Sequence, residues 1–163
     1  PNNPENFYAL TKILFKKTMS FYKKKYPKNT FINLFIGDTY GSKDKRAKIL
    51  PVIIKNYKHN RATTILTKNL KLNILHVEDV ISAINILIKD IKKLKDFFIK
   101  SRIKFNLMNV INKYNSKKNK KVKLLFTDNK ISKINSININ SIPKWKQKFN
   151  VITSFYKDLN ENN

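Results

Sequence analysis

Short apolar runs alternate along this chain with segments of helical period, and that alternation limits the fold more than any other feature. Helical spacing is plainest in Glu78–Leu94, where Val80, Ile81, Ile84, Leu87, Ile88 and Ile91 recur at i, i+3, i+4 and i+7. Asn6–Tyr26 reads as a first helix, with Leu10, Ile13, Leu14, Met19 and Phe21 at helical spacing and Pro27 just beyond it. Ala47–Lys58 reads as a second, and Val151–Leu159 as a terminal one. Between them, Phe31–Ile36, Thr63–Leu66, Leu72–Val77, Phe105–Met108 and Val122–Phe126 read as short strands, and Val110–Tyr114 as a short helix. Thr39–Arg46 reads as a polar loop and Ser116–Lys121 as a basic linker, while Thr127–Ser141 shows no period. Strands this apolar are covered on both faces, as they are in a parallel sheet flanked by helices. The expected class is α/β.

At 163 residues the chain is long enough for one domain. Cysteine is absent, which removes disulfide scaffolds, thiol nucleophiles and Cys-based metal sites. With only His59 and His76 for imidazole ligands, no metal is expected. Gly37 and Gly41 are the only glycines, so no Gly-rich phosphate loop fits within the sequence. The longest apolar run, Val80–Ile88, is interrupted by Asn85 and falls short of the roughly 18 residues of a membrane span. The chain opens on Pro1, which reads as a fragment or a processed piece.

The formal net charge is +25, and of the 35 basic residues only Arg46, Arg61 and Arg102 are arginines. Such a charge fits a binder of polyanions. It also fits a bias toward Lys, Asn and Ile, which share AT-rich codons. Base-reading proteins favour the bidentate arginine fork, and here lysines spread along the whole chain. No specific nucleic acid and no membrane are expected as partners.

One constellation carries chemistry. Tyr8 and Lys12 stand four residues apart, on one face of the first helix. A phenol is a weak base at neutral pH, and an ammonium group one turn away favours its ionised form. Such a pair suits proton removal from an alcohol as hydride leaves the same carbon. The same spacing also arises on an ordinary helix face in a lysine-rich sequence.

Further motifs follow in order. Asn33-Leu34-Phe35-Ile36-Gly37-Asp38-Thr39-Tyr40-Gly41 runs from a strand into a tight turn. Then come His76-Val77-Glu78-Asp79-Val80, Phe105-Asn106-Leu107 and Ile142-Pro143-Lys144-Trp145. In this order and spacing the chain resembles the C-terminal half of the extended short-chain dehydrogenase/reductases, the NAD(P)-dependent nucleotide-sugar epimerases, dehydratases and reductases. Tyr8 and Lys12 match the family's YxxxK pair. Tyr40-Gly41 matches its Tyr-Gly turn, His76–Val80 its "HVDDV" helix entry, and Pro143–Lys146 its "lPgWkP" tail. Asp38–Ile49 looks most like the CDP-abequose synthase branch.

The resemblance implies the C-terminal part of a Rossmann-like parallel sheet plus a small α/β substrate-binding subdomain, with the Gly-rich dinucleotide-binding half absent. It implies NAD or NADP as cofactor, a nucleotide-diphosphate sugar as substrate, a cytoplasmic setting and a homodimer, with Leu10, Leu14 and Phe21 at the contact. It casts Tyr8 as the acid/base and Lys12 as the ligand of the nicotinamide ribose. Asp38 and Thr39 fall at the cofactor-facing strand end, although Asp38 stands where many relatives carry Asn and would repel a phosphate. Arg46 and Lys48 are the candidates for the substrate diphosphate. The family's Ser/Thr partner precedes the Tyr by more residues than the chain has. His76 reads as a packed structural residue, Glu78 and Asp79 as first-turn charges of a helix, and Trp145 as an apolar anchor near the last helix.

Departures from the family pattern leave two alternatives open. Thr67-Lys68-Asn69 replaces a Gly-Pro turn, Leu72 stands where many relatives have Arg, and Met108-Asn109 shortens a small-residue stretch. The alternatives are a basic, non-catalytic nucleic-acid-binding module and a degenerate, inactive remnant of the family.

Overall fold

A computed structural model of the chain describes residues 6–42, 44–89, 96–127 and 142–161. The elements run α1 (Phe7–Lys25), β1 (Leu34–Ile36), β2 (Asp38–Tyr40), α2 (Ile49–Lys58), β3 (Thr63–Ile65), β4 (Lys71–Leu72), β5 (Ile74–His76), α3 (Val77–Lys89), β6 (Phe97–Ile99), β7 (Phe105–Asn106), α4 (Leu107–Asn115), β8 (Leu124–Phe126) and α5 (Val151–Asn160). Three ladders are parallel: β1 with β6, β2 with β5, and β3 with β8. The fourth, β4 with β7, is antiparallel. This is the α/β class expected, with parallel pairs joined through helical crossovers.

The abundant asparagines have a local use. Asn6, Asn106 and Asn150 each cap a helix, accepting from the backbone N–H of Ala9 at 2.9 Å, Asn109 at 3.1 Å and Ile152 at 2.9 Å. At the other end of α2, Asn60 takes a left-handed conformation (φ 54°), and Arg61 N–H returns to the Asn56 carbonyl at 2.8 Å.

Two cores form. One gathers Leu50, Ile53 and Tyr57 of α2, Val110, Ile111 and Tyr114 of α4, and Val151, Phe155 and Leu159 of α5. The other joins Leu75, Val80, Ala83, Phe97 and Ile99 to Ile142 and Trp145.

Several sequence expectations need correction. Thr39 and Tyr40, read as the start of a polar loop, belong to a strand, β2, because Asp38–Tyr40 pairs in parallel with β5. Thr63–Leu66 and Leu72–Val77 do not pair with each other; β3 joins β8, and β5 joins β2. β1 is shorter than expected and only half-buried, with Ile36 47% exposed. Phe97–Ile99, hidden at the end of a lysine-rich stretch, is a further strand. The helix read as Glu78–Leu94 is seen as α3 to Lys89, and the end of that reading lies outside the described residues, as does most of Thr127–Ser141.

Candidate active site

α1 runs against the direction of β1. Asp96, just before β6, accepts from Asn33 Nδ2 at 2.8 Å and so marks the amino end of the β1–β6 pair. Lys23 and Lys16 both reach Asp96 at 3.9 Å, and Lys16 also lies over the Phe35 ring, 5.8 Å from its centroid. Tyr8 is two turns beyond Lys16, about 12 Å along the axis. From Phe35 to Asp38 the strand advances about 10 Å. Tyr8 and Lys12 therefore stand level with the carboxyl end of the sheet, where open α/β sheets bind ligands. The Lys12 ammonium lies 5.0 Å from the Tyr8 ring centroid, and Thr11, between them in sequence, turns its hydroxyl back to the Tyr8 carbonyl at 2.8 Å.

No residue of α1 is buried. Tyr8 is 71% exposed and Phe15 62%, so the flank of α1 that carries Tyr8 and Lys12 is open. Leu10, Leu14 and Phe21, on another side of the same helix, are also exposed. A helix with this much uncovered apolar surface needs a further partner on both flanks.

The strand-end residues are brought together by two ion pairs. Lys48 Nζ meets Asp38 at 3.1 Å, an exposed pair. Arg46 is held by Asp44 at 2.6 Å and donates to the Thr39 carbonyl and hydroxyl at 3.1 Å each. The Arg46 bond keeps the Asp44 carboxyl below its usual range, and the same bond raises the guanidinium. Both cations stay over half exposed, Arg46 held to its own loop by Asp44 and Lys48 lining a small cleft with Asp38, Thr39, Ile49 and Leu72.

Gly41 is fixed by packing. A Cβ there would come 2.6 Å from Val77 Cγ1 at the start of α3. His76 is structural, as read from sequence: its Nδ1 accepts from Glu78 N–H at 3.2 Å, and its ring stacks on Phe149 at 4.9 Å. Glu78 and Asp79 both stand in the first turn of α3, as expected, and Asp79 has a further role. Its buried carboxylate accepts from the backbone N–H of Lys148 at 2.8 Å and of Phe149 at 3.1 Å. Trp145 is anchored to α3 rather than beside the last helix, its Nε1 donating to Ser82 Oγ at 3.0 Å and to the Asp79 carbonyl at 3.2 Å.

Sequence reading missed Asp158. It is buried on α5 and accepts from the Tyr40 hydroxyl and from Ser42 Oγ at 3.1 Å, tying α5 to the end of β2. Burial, then the Asp158 hydrogen bond and charge, hold Tyr40 in its protonated form well above the usual tyrosine range. The signal was an acid on the apolar stripe of Val151, Phe155 and Leu159. Among the described residues no group of three or more acids and histidines could hold a metal ion, and no helix is long and apolar enough to cross a membrane.

Known proteins share this fold. CDP-abequose synthase of Salmonella muenchen is 33% identical over 76 residues, 47% of this chain and 26% of that protein. The dTDP-glucose 4,6-dehydratase of Bacillus anthracis str. Ames, solved in complex with NAD, superposes with a TM-score of 0.73 at 17% identity, over 97% of this chain and 52% of that one. The UDP-glucose 4-epimerase of Bifidobacterium longum, solved with NAD+ and UDP, gives 0.74 at 14% identity, over 95% and 54%. The chain thus spans about half the length of these structures. The model of the NAD dependent epimerase/dehydratase family matches residues 1–99, more than half of the sequence, and the chain belongs to that family.

Proposed function

We propose that this chain is the substrate-binding and catalytic Tyr/Lys portion of an NAD(P)-dependent oxidoreductase acting on a nucleotide-diphosphate sugar. The observation that carries the reading is the position of Tyr8 and Lys12, one turn apart on α1 and level with the carboxyl end of the sheet. The residues present fit the nicotinamide end of a dinucleotide, where Lys12 offers an ammonium to ribose hydroxyls. They do not supply its pyrophosphate end, because Gly37 and Gly41 are the only glycines and Gly41 is packed against Val77. That end belongs to a Gly-rich half preceding α1, which would also cover the Tyr8–Phe15 flank and the free edge of β1, whose pairing among the described residues is with β6.

When bound, the dinucleotide supplies the hydride acceptor. Tyr8 takes the proton from the sugar C4 hydroxyl as hydride leaves that carbon, and returns a proton in the reverse sense. Lys12 holds the ribose and keeps its ammonium beside the Tyr8 ring. Asp38 and Thr39 line the cofactor side of the strand end. Lys48 meets the substrate diphosphate and offsets the charge of Asp38 beside it. Arg46 acts at one remove, fixing Thr39 and the loop that carries Lys48.

The second open flank of α1 fits a homodimer, with Leu10, Leu14 and Phe21 against their own copies. Light scattering tests this: Leu14→Glu gives a folded monomer if the flank is the interface, and a folded Leu14→Glu dimer refutes it. The catalytic assignment is tested with Lys12→Met in the protein that carries the dinucleotide-binding half. Both turnover and dinucleotide affinity fall if Lys12 has its two roles. Retention of both rejects the assignment. For the 163-residue chain alone, calorimetry with NAD+ and NADP+ is expected to show no micromolar binding.

A further inference from the structure

A cavity of about 500 Å³ adjoins the Asp38–Lys48 cleft, with which it shares Tyr40 and Pro51, and lies between the β2–α2 loop, α2 and the end of α5. Its wall on α2 is one helical stripe: Pro51 and Ile54 give an apolar floor, and Lys55 and Lys58 follow at i+4 and i+7 from Pro51. Lys45 approaches from the loop. Three acids line it: Asp44 pairs with Arg46 at 2.6 Å, Glu161 pairs with Lys157 at 3.3 Å, and the buried Asp158 accepts from the hydroxyls of Tyr40 and Ser42. None of Lys45, Lys55 and Lys58 makes an ion pair among the described residues. The sequence between Asp44 and Glu78 contains no acid to offer them one.

Lysines at the end of α2 also complement its dipole, an effect of about 0.3–1 kcal/mol that accounts for a cation in the last turn. It accounts neither for Lys45 nor for an apolar floor left open beneath the cations. A wall of three ammonium groups suits a phosphate dianion. The Pro51–Ile54 floor suits the C–H face of a sugar ring, and Ser42 and Glu161 offer polar atoms to its hydroxyls. The volume exceeds that of a hexose phosphate, so such a ligand enters whole.

We propose that this cavity is a binding site for a small sugar phosphate, beside the Asp38–Lys48 cleft and lined by other lysines. The probe is glucose 6-phosphate, titrated into the full 163-residue chain and followed by calorimetry or by amide chemical shifts. Binding is expected with a Kd of about 0.1–1 mM, or roughly −4 to −5.5 kcal/mol by the standard conversion. Lys55→Gln/Lys58→Gln, at exposed positions, weakens it by about tenfold or more. Lys113→Gln/Lys117→Gln, at exposed positions around the end of α4, removes the same charge elsewhere and leaves it unchanged. Glucose without phosphate binds more weakly than the probe, and so does inorganic phosphate. The proposal is overturned by no binding at millimolar probe, by equal effects of the two lysine pairs, or by inorganic phosphate binding as tightly as the sugar phosphate. No residue varied here takes part in the proposed reaction, so failure of this site leaves the assignment of Tyr8 and Lys12 standing.

Discussion

Replacing Asp79 should loosen the segment that joins the two cores. The carboxylate is fully buried and holds the backbone N–H groups of Lys148 and Phe149 at 2.8 and 3.1 Å. Hydrogen bonds to a charged group contribute about 1.5–3 kcal/mol each. Asp79→Ala removes both, leaves two backbone donors without their acceptor and opens space in a packed region, so a loss of about 3–5 kcal/mol follows. Asp79→Asn keeps the volume and one carbonyl oxygen but turns an NH2 group toward one of the two donors. Its expected cost is about 2 kcal/mol, a sizeable part of the 5–15 kcal/mol that stabilises an ordinary domain. Urea unfolding at neutral pH reads the change. Trp145 is the only tryptophan and its indole is bonded beside Asp79, so its emission follows this region while far-UV circular dichroism follows the helices. In the variants the emission transition should move to lower urea, ahead of the dichroism transition. An Asp79→Asn chain within about 0.5 kcal/mol of the parent, with coincident transitions, would show that the clamp contributes little.

Gly41→Ala is expected to cost about 1–3 kcal/mol through overlap with Val77 Cγ1, and Val77→Ala should recover part of that loss in a double-mutant cycle. Lys144 takes φ 61°, where the family's tail carries glycine. A left-handed non-glycine residue costs roughly 1–2 kcal/mol and glycine loses about 0.5–1 kcal/mol of chain entropy, so Lys144→Gly should raise the thermal midpoint by a net of up to about 1 kcal/mol. Tyr40 is held protonated in the fold, whereas an unfolded tyrosine ionises near pH 10. Its contribution is complete below about pH 10 and is lost as pH rises toward its folded titration, so urea midpoints should fall less steeply from about pH 9 to 11 in Tyr40→Phe than in the parent.

What the sequence made legible was local. Helical spacing located α1 and α3, and the Asn6 cap and Pro27 bounded the first of them within a residue or two. The YxxxK pair was readable because both residues lie on one helix. Strand partners were not readable, since a three-residue run such as Phe97–Ile99 acquires its identity from Leu34–Ile36 across the sheet. The roles of Asp79 and Asp158 were hidden for the same reason: their partners lie 69 and 118 residues away. The exposure of α1 was not readable either, since apolar residues at helical spacing look alike whether or not another element covers them.

The most direct test of the proposed function is the turnover of Tyr8→Phe, measured as hydride transfer at 340 nm with a nucleotide-diphosphate sugar in the protein that joins this chain to its dinucleotide-binding half. The substitution removes the transferable proton and keeps the ring. A fall in kcat by a factor on the order of 10² to 10⁴, with dinucleotide affinity unchanged, is the predicted result. Turnover equal to that of the parent would contradict the assignment of Tyr8 as the acid/base.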